Sequence, residues 1–188
     1  MLNLFFSLNV IKVYIYGFYI SAIAMLLITS YGAYFGTMEY LQTGKVVIGE
    51  ILVKTHFPTS GSFNLVTYLM IFSVIAWYAI TKIFENKTSQ ISKTIKSVGL
   101  IIILIFWAVS LYELVYNIFL LNSLMTKSVI TNNLDFETLN IPYPTKETPW
   151  NLIFATKMFL AGTLITSHAF FVISSSIKKT SKNVNMLE

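Results

Sequence analysis

Apolar residues gather into four long runs: Val13 to Phe35, Phe63 to Phe84, Val98 to Leu121 and Pro149 to Ile177. Polar, lysine-bearing stretches separate them. Each run exceeds the roughly 18 weakly charged residues that read as a membrane-crossing helix. At 1.5 Å per residue each can cross about 30 Å of hydrocarbon, with tilt for the longest. The pattern predicts an all-α fold, an integral membrane bundle of four transmembrane helices forming a single domain over residues 1–188. Loops 36–62 and 122–148 are about twice as long as the connection "ENKTSQISKTIKS" between runs two and three.

Local signals refine the ends of these runs. Thr148 is placed to cap run four, Pro149 suits a first helical position, and Trp150 suits a membrane interface. In the first long loop, the triplets Val46 to Ile48 and Ile51 to Val53 flank Gly49 and Glu50, and predict a short hairpin or an interfacial helix. In the second, "IPYPT" predicts an extended segment before run four. The N-terminal stretch lacks a basic region ahead of its apolar run, and that run outlasts a signal-peptide core, so it is read as a retained anchor helix.

Composition supports a bilayer. The chain is 55% hydrophobic and 11% charged, against about 25% charged for an ordinary globular domain. The formal charge of +5 comes from thirteen basic residues, all of them Lys. Most of them sit beside or at the ends of the apolar runs and they form no aromatic-interleaved patch, which favours a topological role over a nucleic-acid surface. Lys12, Lys82, Lys87, Lys93, Lys96, Lys178, Lys179 and Lys182 fall on one side; Lys45, Lys54, Lys127 and Lys146 fall on the other. The positive-inside bias then places both termini on the cytoplasmic side of a multi-pass protein of the cell membrane. Asn86, in the sequon "NKT", would face inward and stay unmodified. Without Cys, the chain has no disulfides, thiolate metal sites or cysteine nucleophiles.

Two charges lie deepest in the apolar runs. Glu113 is about 12 Å below the outer end of run three, and Lys157 lies at about the same depth in run four, which runs the other way. A lone charge at that depth costs about 2.5 to 3.5 kcal/mol, so the two are expected to form an intramembrane ion pair. Ser110, Glu113 and Asn117 share one helix face, with Tyr116 close by, and Lys157, Ala161, Leu164 and His168 line up similarly on run four. This polar stripe is expected to face the bundle or another subunit. The pair would serve as an assembly device fixing helix register, or as a proton or ion relay. Two further readings are a protonated Glu113 bonded to Tyr or Asn, and a Lys157 that snorkels outward alone.

His56 and His168 are the two histidines, on opposite halves of the predicted topology, so they cannot clamp one haem together. His168 reads as a hydrogen-bonded core residue and His56 as an ordinary loop residue, with metal binding the alternative for His56; a metal or haem site would need ligands from another chain. Gly-rich phosphate loops, GxSxG, HExxH and paired carboxylates within a run are absent from the sequence. No catalytic, cofactor-binding or metal-binding residue is assigned, and no cofactor is expected. Gly32 with Gly36, and Gly17 with Ser21, give small-xxx-small spacings suited to close helix approach.

At "TPWNLIFATKMFLAG", Thr148 to Gly162, the Thr-Pro-aromatic start of the last run resembles small helical subunits of the copper membrane monooxygenase group, notably the archaeal ammonia monooxygenase assembly. The Asp and His metal-ligand pattern of that group's catalytic subunits is missing here. The resemblance therefore implies an accessory subunit with no transferred active site.

The expected function is that of a non-catalytic structural or accessory subunit in a larger integral membrane complex, of energy metabolism by that resemblance. Its partners would be the lipid bilayer and other membrane subunits in a hetero-oligomer, with no nucleic acid. The alternative is a small transporter or proton- or ion-conducting protein using Glu113 and Lys157.

Overall fold

The computed structural model describes residues 2–131, 140–146 and 148–184, with side chains over 11–85, 91–131, 141, 145–146 and 148–177. The elements in order are α1 (Leu2–Thr43), α2 (Glu50–Lys54), α3 (Leu65–Gln90), α4 (Lys93–Thr131), β1 (Asn140–Pro144), β2 (Pro149–Asn151) and α5 (Leu152–Val184). Four of these helices are long and apolar enough to cross a membrane, over Ile11–Thr43, Leu65–Glu85, Lys93–Thr131 and Leu152–Ile177.

Several boundaries differ from the sequence reading. Helix α1 continues through Thr43 and α4 through Thr131, so both outlast their apolar runs. At 39 residues α4 is about 58 Å long, nearly twice the hydrocarbon thickness. The connection expected between runs two and three is almost wholly helical, because α3 ends at Gln90 and α4 begins at Lys93. Only Ile91 and Ser92 turn the chain, and Ser92 Oγ accepts from the Ile95 N–H at 3.4 Å. Residues 132–139 of the second long loop lie outside the described residues.

The start of run four also needs correction. Pro149 does not open the helix and Thr148 does not cap it, since Pro149–Asn151 is the strand β2, paired antiparallel with β1. The cap is Asn151, whose Oδ1 accepts from the N–H groups of Ile153 at 3.0 Å and Phe154 at 3.2 Å. A proline at a strand position keeps residue 148 extended, and the next good capping side chain downstream takes over. The "IPYP" of the predicted extended segment is β1.

The first long loop folds onto this hairpin. Ile48 forms a parallel bridge with Trp150: its N–H donates to Pro149 O at 2.8 Å, and its carbonyl accepts from the Asn151 N–H at 3.0 Å. Gly49 then turns the chain at φ +82° into α2. Leu52 of α2 drops into a core with Val66 and Leu69 of α3, against which Met25, Ile28, Phe154 and Met158 pack. Of the two apolar triplets, the first supplies a bridge and the second lies within a short helix.

Among the helices, α1 packs chiefly on α3, α3 on α5, and α5 on α4, giving the order α1–α3–α5–α4. The two middle helices meet their neighbours through small buried residues, Ala76 and Ala79 on α3 and Ala155, Ala161 and Ala169 on α5. Small side chains let backbones approach where no hydrophobic effect drives association. In the most apolar stretch of each helix, 6% of residues are buried in α1 and in α4, against 22% in α3. The two flanking helices thus present large apolar side chains outward, among them Val13, Ile20 and Leu27 of α1 and Ile101, Phe106 and Val109 of α4. In water such surfaces would aggregate; in hydrocarbon they are the solvated face.

Candidate functional site

Polar side chains in this bundle tie helices together at two levels. Nearest the hairpin, Asn64 precedes α3 and caps it, its Oδ1 accepting from the Thr67 N–H at 3.3 Å and from the Thr67 hydroxyl at 2.6 Å. Lys157 of α5 completes the cluster: Nζ donates to Asn64 Oδ1 at 2.7 Å and to Thr67 Oγ1 at 2.7 Å. Hydrogen bonds from a charged donor are each worth about 1.5 to 3 kcal/mol. Two of them offset the cost of holding an ammonium group in an apolar setting.

The expected Glu113–Lys157 ion pair is therefore not formed. Among the described residues the ion pairs are Lys54–Glu50 and Lys82–Glu85, and Glu113 belongs to neither. Helices α4 and α5 are antiparallel, with Ser110 against Gly162 and Trp107 against Ser167, so Glu113 and Lys157 lie at nearly the same level along the bundle. Three residues onward from Ser110 is Glu113, and three residues back from Gly162 is Phe159, two positions from Lys157. That offset is about 3 Å of rise. Azimuth is what separates the two charges. Lys157 lies five positions from Gly162, about 140° around α5 at 3.6 residues per turn, so it faces α3 while Gly162 faces α4.

Glu113 itself is half-buried and has no hydrogen bond or ion pair among the described residues. The rest of its stripe divides. Ser110 lies against α5, Asn117 is 1% exposed with both ends of its amide unpartnered, and Tyr116 points outward, stacked with Tyr112 at 6.4 Å and 12°. Of the predicted polar stripe, Ser110 and Asn117 face inward, Glu113 lies at the border, and Tyr116 is outside.

Further from the hairpin, Trp107 Nε1 of α4 donates to Ser167 Oγ of α5 at 2.9 Å. His168 meets α3: Trp77 Nε1 donates to its Nδ1 at 3.2 Å, and the Tyr78 ring lies 5.6 Å from its own. His56 stays in the first loop, its Nδ1 3.1 Å from Lys54 O. Among the described residues no group of three His, Cys, Asp or Glu could hold a metal ion.

The partners Asn64, Thr67, Trp77, Trp107 and Ser167 escaped the sequence reading. The first two had a signal: Asn64 followed three positions later by Thr67 opens a helix, and that opening lies at the depth of Lys157. The indole-to-acceptor bonds depend on helix rotation, for which the sequence carries no comparable mark.

The small-residue pair Gly32 and Gly36 meets the first long loop, with its short helix α2, instead of another of the four long helices. A Cβ on Gly32 would lie 3.0 Å from Leu52, and one on Gly36 would lie 3.6 Å from Val46. Beside them runs a cleft of about 500 Å³, lined by Thr29, Ala33, Thr37, Val47 and Phe154 among others. At Gly17 the second pair faces open space, whereas Ser21 is buried.

Compared with known proteins, the chain matches no family model, no curated protein and no solved structure.

Proposed function

We propose that this chain is a non-catalytic subunit of a larger integral membrane complex, spanning the cell membrane four times with both termini on the cytoplasmic side. The observation that carries the reading is the use of its embedded polar groups. Lys157, His168 and Ser167 are each committed to a neighbouring helix of the same chain. Such bonds fix rotation and register, as a scaffold requires. The resemblance over Thr148 to Gly162 supports placing the complex in energy metabolism, as an accessory subunit of an ammonia monooxygenase-like assembly. The lysines clustered beside the α3–α4 turn and in the C-terminal segment support the orientation.

Native mass spectrometry after gentle detergent extraction tests the proposal. The expected result is this chain together with other membrane proteins at fixed stoichiometry. Recovery of the chain alone, with ion flux in proteoliposomes that is lost on Glu113→Gln, would replace it with the conducting reading.

A further inference from the structure

From the Glu113 carboxyl at the border of α4, which has no partner among the described residues, we infer that α4 docks against a transmembrane helix of a different subunit, one carrying Lys or Arg at the depth of Glu113. This inference rests on the subunit reading above.

Its basis is a carboxyl that the described residues of this chain leave unsatisfied. Glu113 is half-buried, bonded to nothing among the described residues, and lies seven residues inward from Leu120, within the apolar length of α4. Among the described residues the one cation at its level is Lys157, which is turned toward α3 and engaged by Asn64 and Thr67. Glu113 also has a particular setting on the helix. Ile102, Phe106, Val109, Glu113, Tyr116 and Leu120 recur at alternating four- and three-residue intervals, the spacing of one helix-packing seam. Ile102, Phe106, Val109 and Tyr116 on that seam are 48 to 61% exposed. Apolar exposure alone would fit lipid. An acidic group in the middle of the seam calls for a complementary charge, because acidic groups within spans pair or face a polar interior.

Among its described residues, a second copy of this chain does not supply that charge. Two α4 helices related by a two-fold axis along the membrane normal would bring Glu113 opposite Glu113. Lys12, Lys82, Lys93 and Lys96 lie toward the other end of the bundle, Lys54 is paired with Glu50, and Lys45 and Lys146 are exposed in the loops beyond the helix ends. Lys127 is fourteen residues further along α4, about 21 Å away. The occupant is therefore a distinct chain with a basic residue inside its span.

The test is site-specific photo-cross-linking of the full chain in its native cells, with the photoreactive residue at Phe106 or Tyr116 on the seam and at Ile20 of α1 as a control. The expected result is one partner chain from both seam positions and not from Ile20, with the attachment mapped to a transmembrane segment that contains Lys or Arg. Glu113→Leu should lower recovery of that partner by at least about tenfold. Exchanging the charges, Glu113→Lys with the partner's basic residue changed to Glu, should restore it. Glu113→Gln serves as the isosteric variant, and an unchanged circular dichroism spectrum of each purified variant shows that the fold is intact. Seam cross-links to lipid or to a second copy, or partner recovery that Glu113→Leu leaves unchanged, would overturn the inference. If other subunits still co-purify in that case, the subunit reading survives; if the chain emerges alone, both fall.

Discussion

Lys157 of α5 reaches Asn64 at the head of α3, Nζ to Oδ1 at 2.7 Å. One amine thereby joins a helix cap to the interior of a second helix, and Thr67 closes the triangle at 2.7 Å. The two residues contribute unequally. Asn64 caps α3 and satisfies Lys157, whereas Lys157 leaves behind an intact Asn64–Thr67 bond when it is removed. Asn64→Leu should cost about 2 to 4 kcal/mol, through a lost cap and an under-satisfied ammonium group. Lys157→Met should change stability by no more than about 1 kcal/mol, because an apolar side chain of similar length replaces a charge whose partners still bond each other. Equilibrium unfolding in mixed micelles compares the two.

Gly49 combines a positive φ with no room for a side chain: a Cβ there would overlap the Phe154 side chain. Gly49→Ala should destabilise the fold by about 2 to 5 kcal/mol, from left-handed backbone strain added to overpacking. Gly44, also at positive φ but in open space, should show the backbone part alone, about 1 to 2 kcal/mol on Gly44→Ala. The difference between their unfolding midpoints isolates the contact with Phe154.

Where α4 crosses α5, a Cβ on Gly162 would lie 3.1 Å from Ser110 Oγ. Gly162→Ala should be mild, because the hydroxyl can turn aside. Gly162→Leu should wedge the helices apart at a cost of about 1 to 3 kcal/mol. Ser110→Gly in the Gly162→Ala background should recover the original stability, measured by the same unfolding assay.

The Trp77–His168 bond gives a further check. Trp77→Phe strands His168 Nδ1 in a part-buried site and should cost about 1 to 3 kcal/mol. Replacing both, Trp77→Phe with His168→Phe, removes donor and acceptor together and should cost less than the sum of the single changes. A double-mutant cycle read by thermal unfolding supplies the coupling.

Four apolar runs were enough to recover the four long helices, because length and apolarity are what a bilayer demands and both are written along the chain. Boundaries were less legible. Thr37 to Thr43 and Asn122 to Thr131 are mixed in polarity, yet they continue α1 and α4 as helix, since nothing there breaks a helix once it is propagating. At Pro149 the interface and proline signals pointed to a helix start, but pairing with β1 and Ile48 overrode them. For the candidate site, residue counting gave the common level of Glu113 and Lys157 along the bundle. It did not give rotation, because rotation depends on which small residues, such as Gly162, another helix comes to rest upon.

The most direct test of this arrangement is a pair of double-mutant cycles on Lys157, one with Asn64 and one with Glu113, in the isolated chain. With Lys157 bonded to α3, the Asn64 cycle should return a coupling of about 1 kcal/mol or more and the Glu113 cycle one within about 0.5 kcal/mol of zero. A strong Glu113–Lys157 coupling beside a negligible Asn64–Lys157 coupling would contradict it, returning Lys157 to the α4 side and leaving Glu113 with no call for an outside partner.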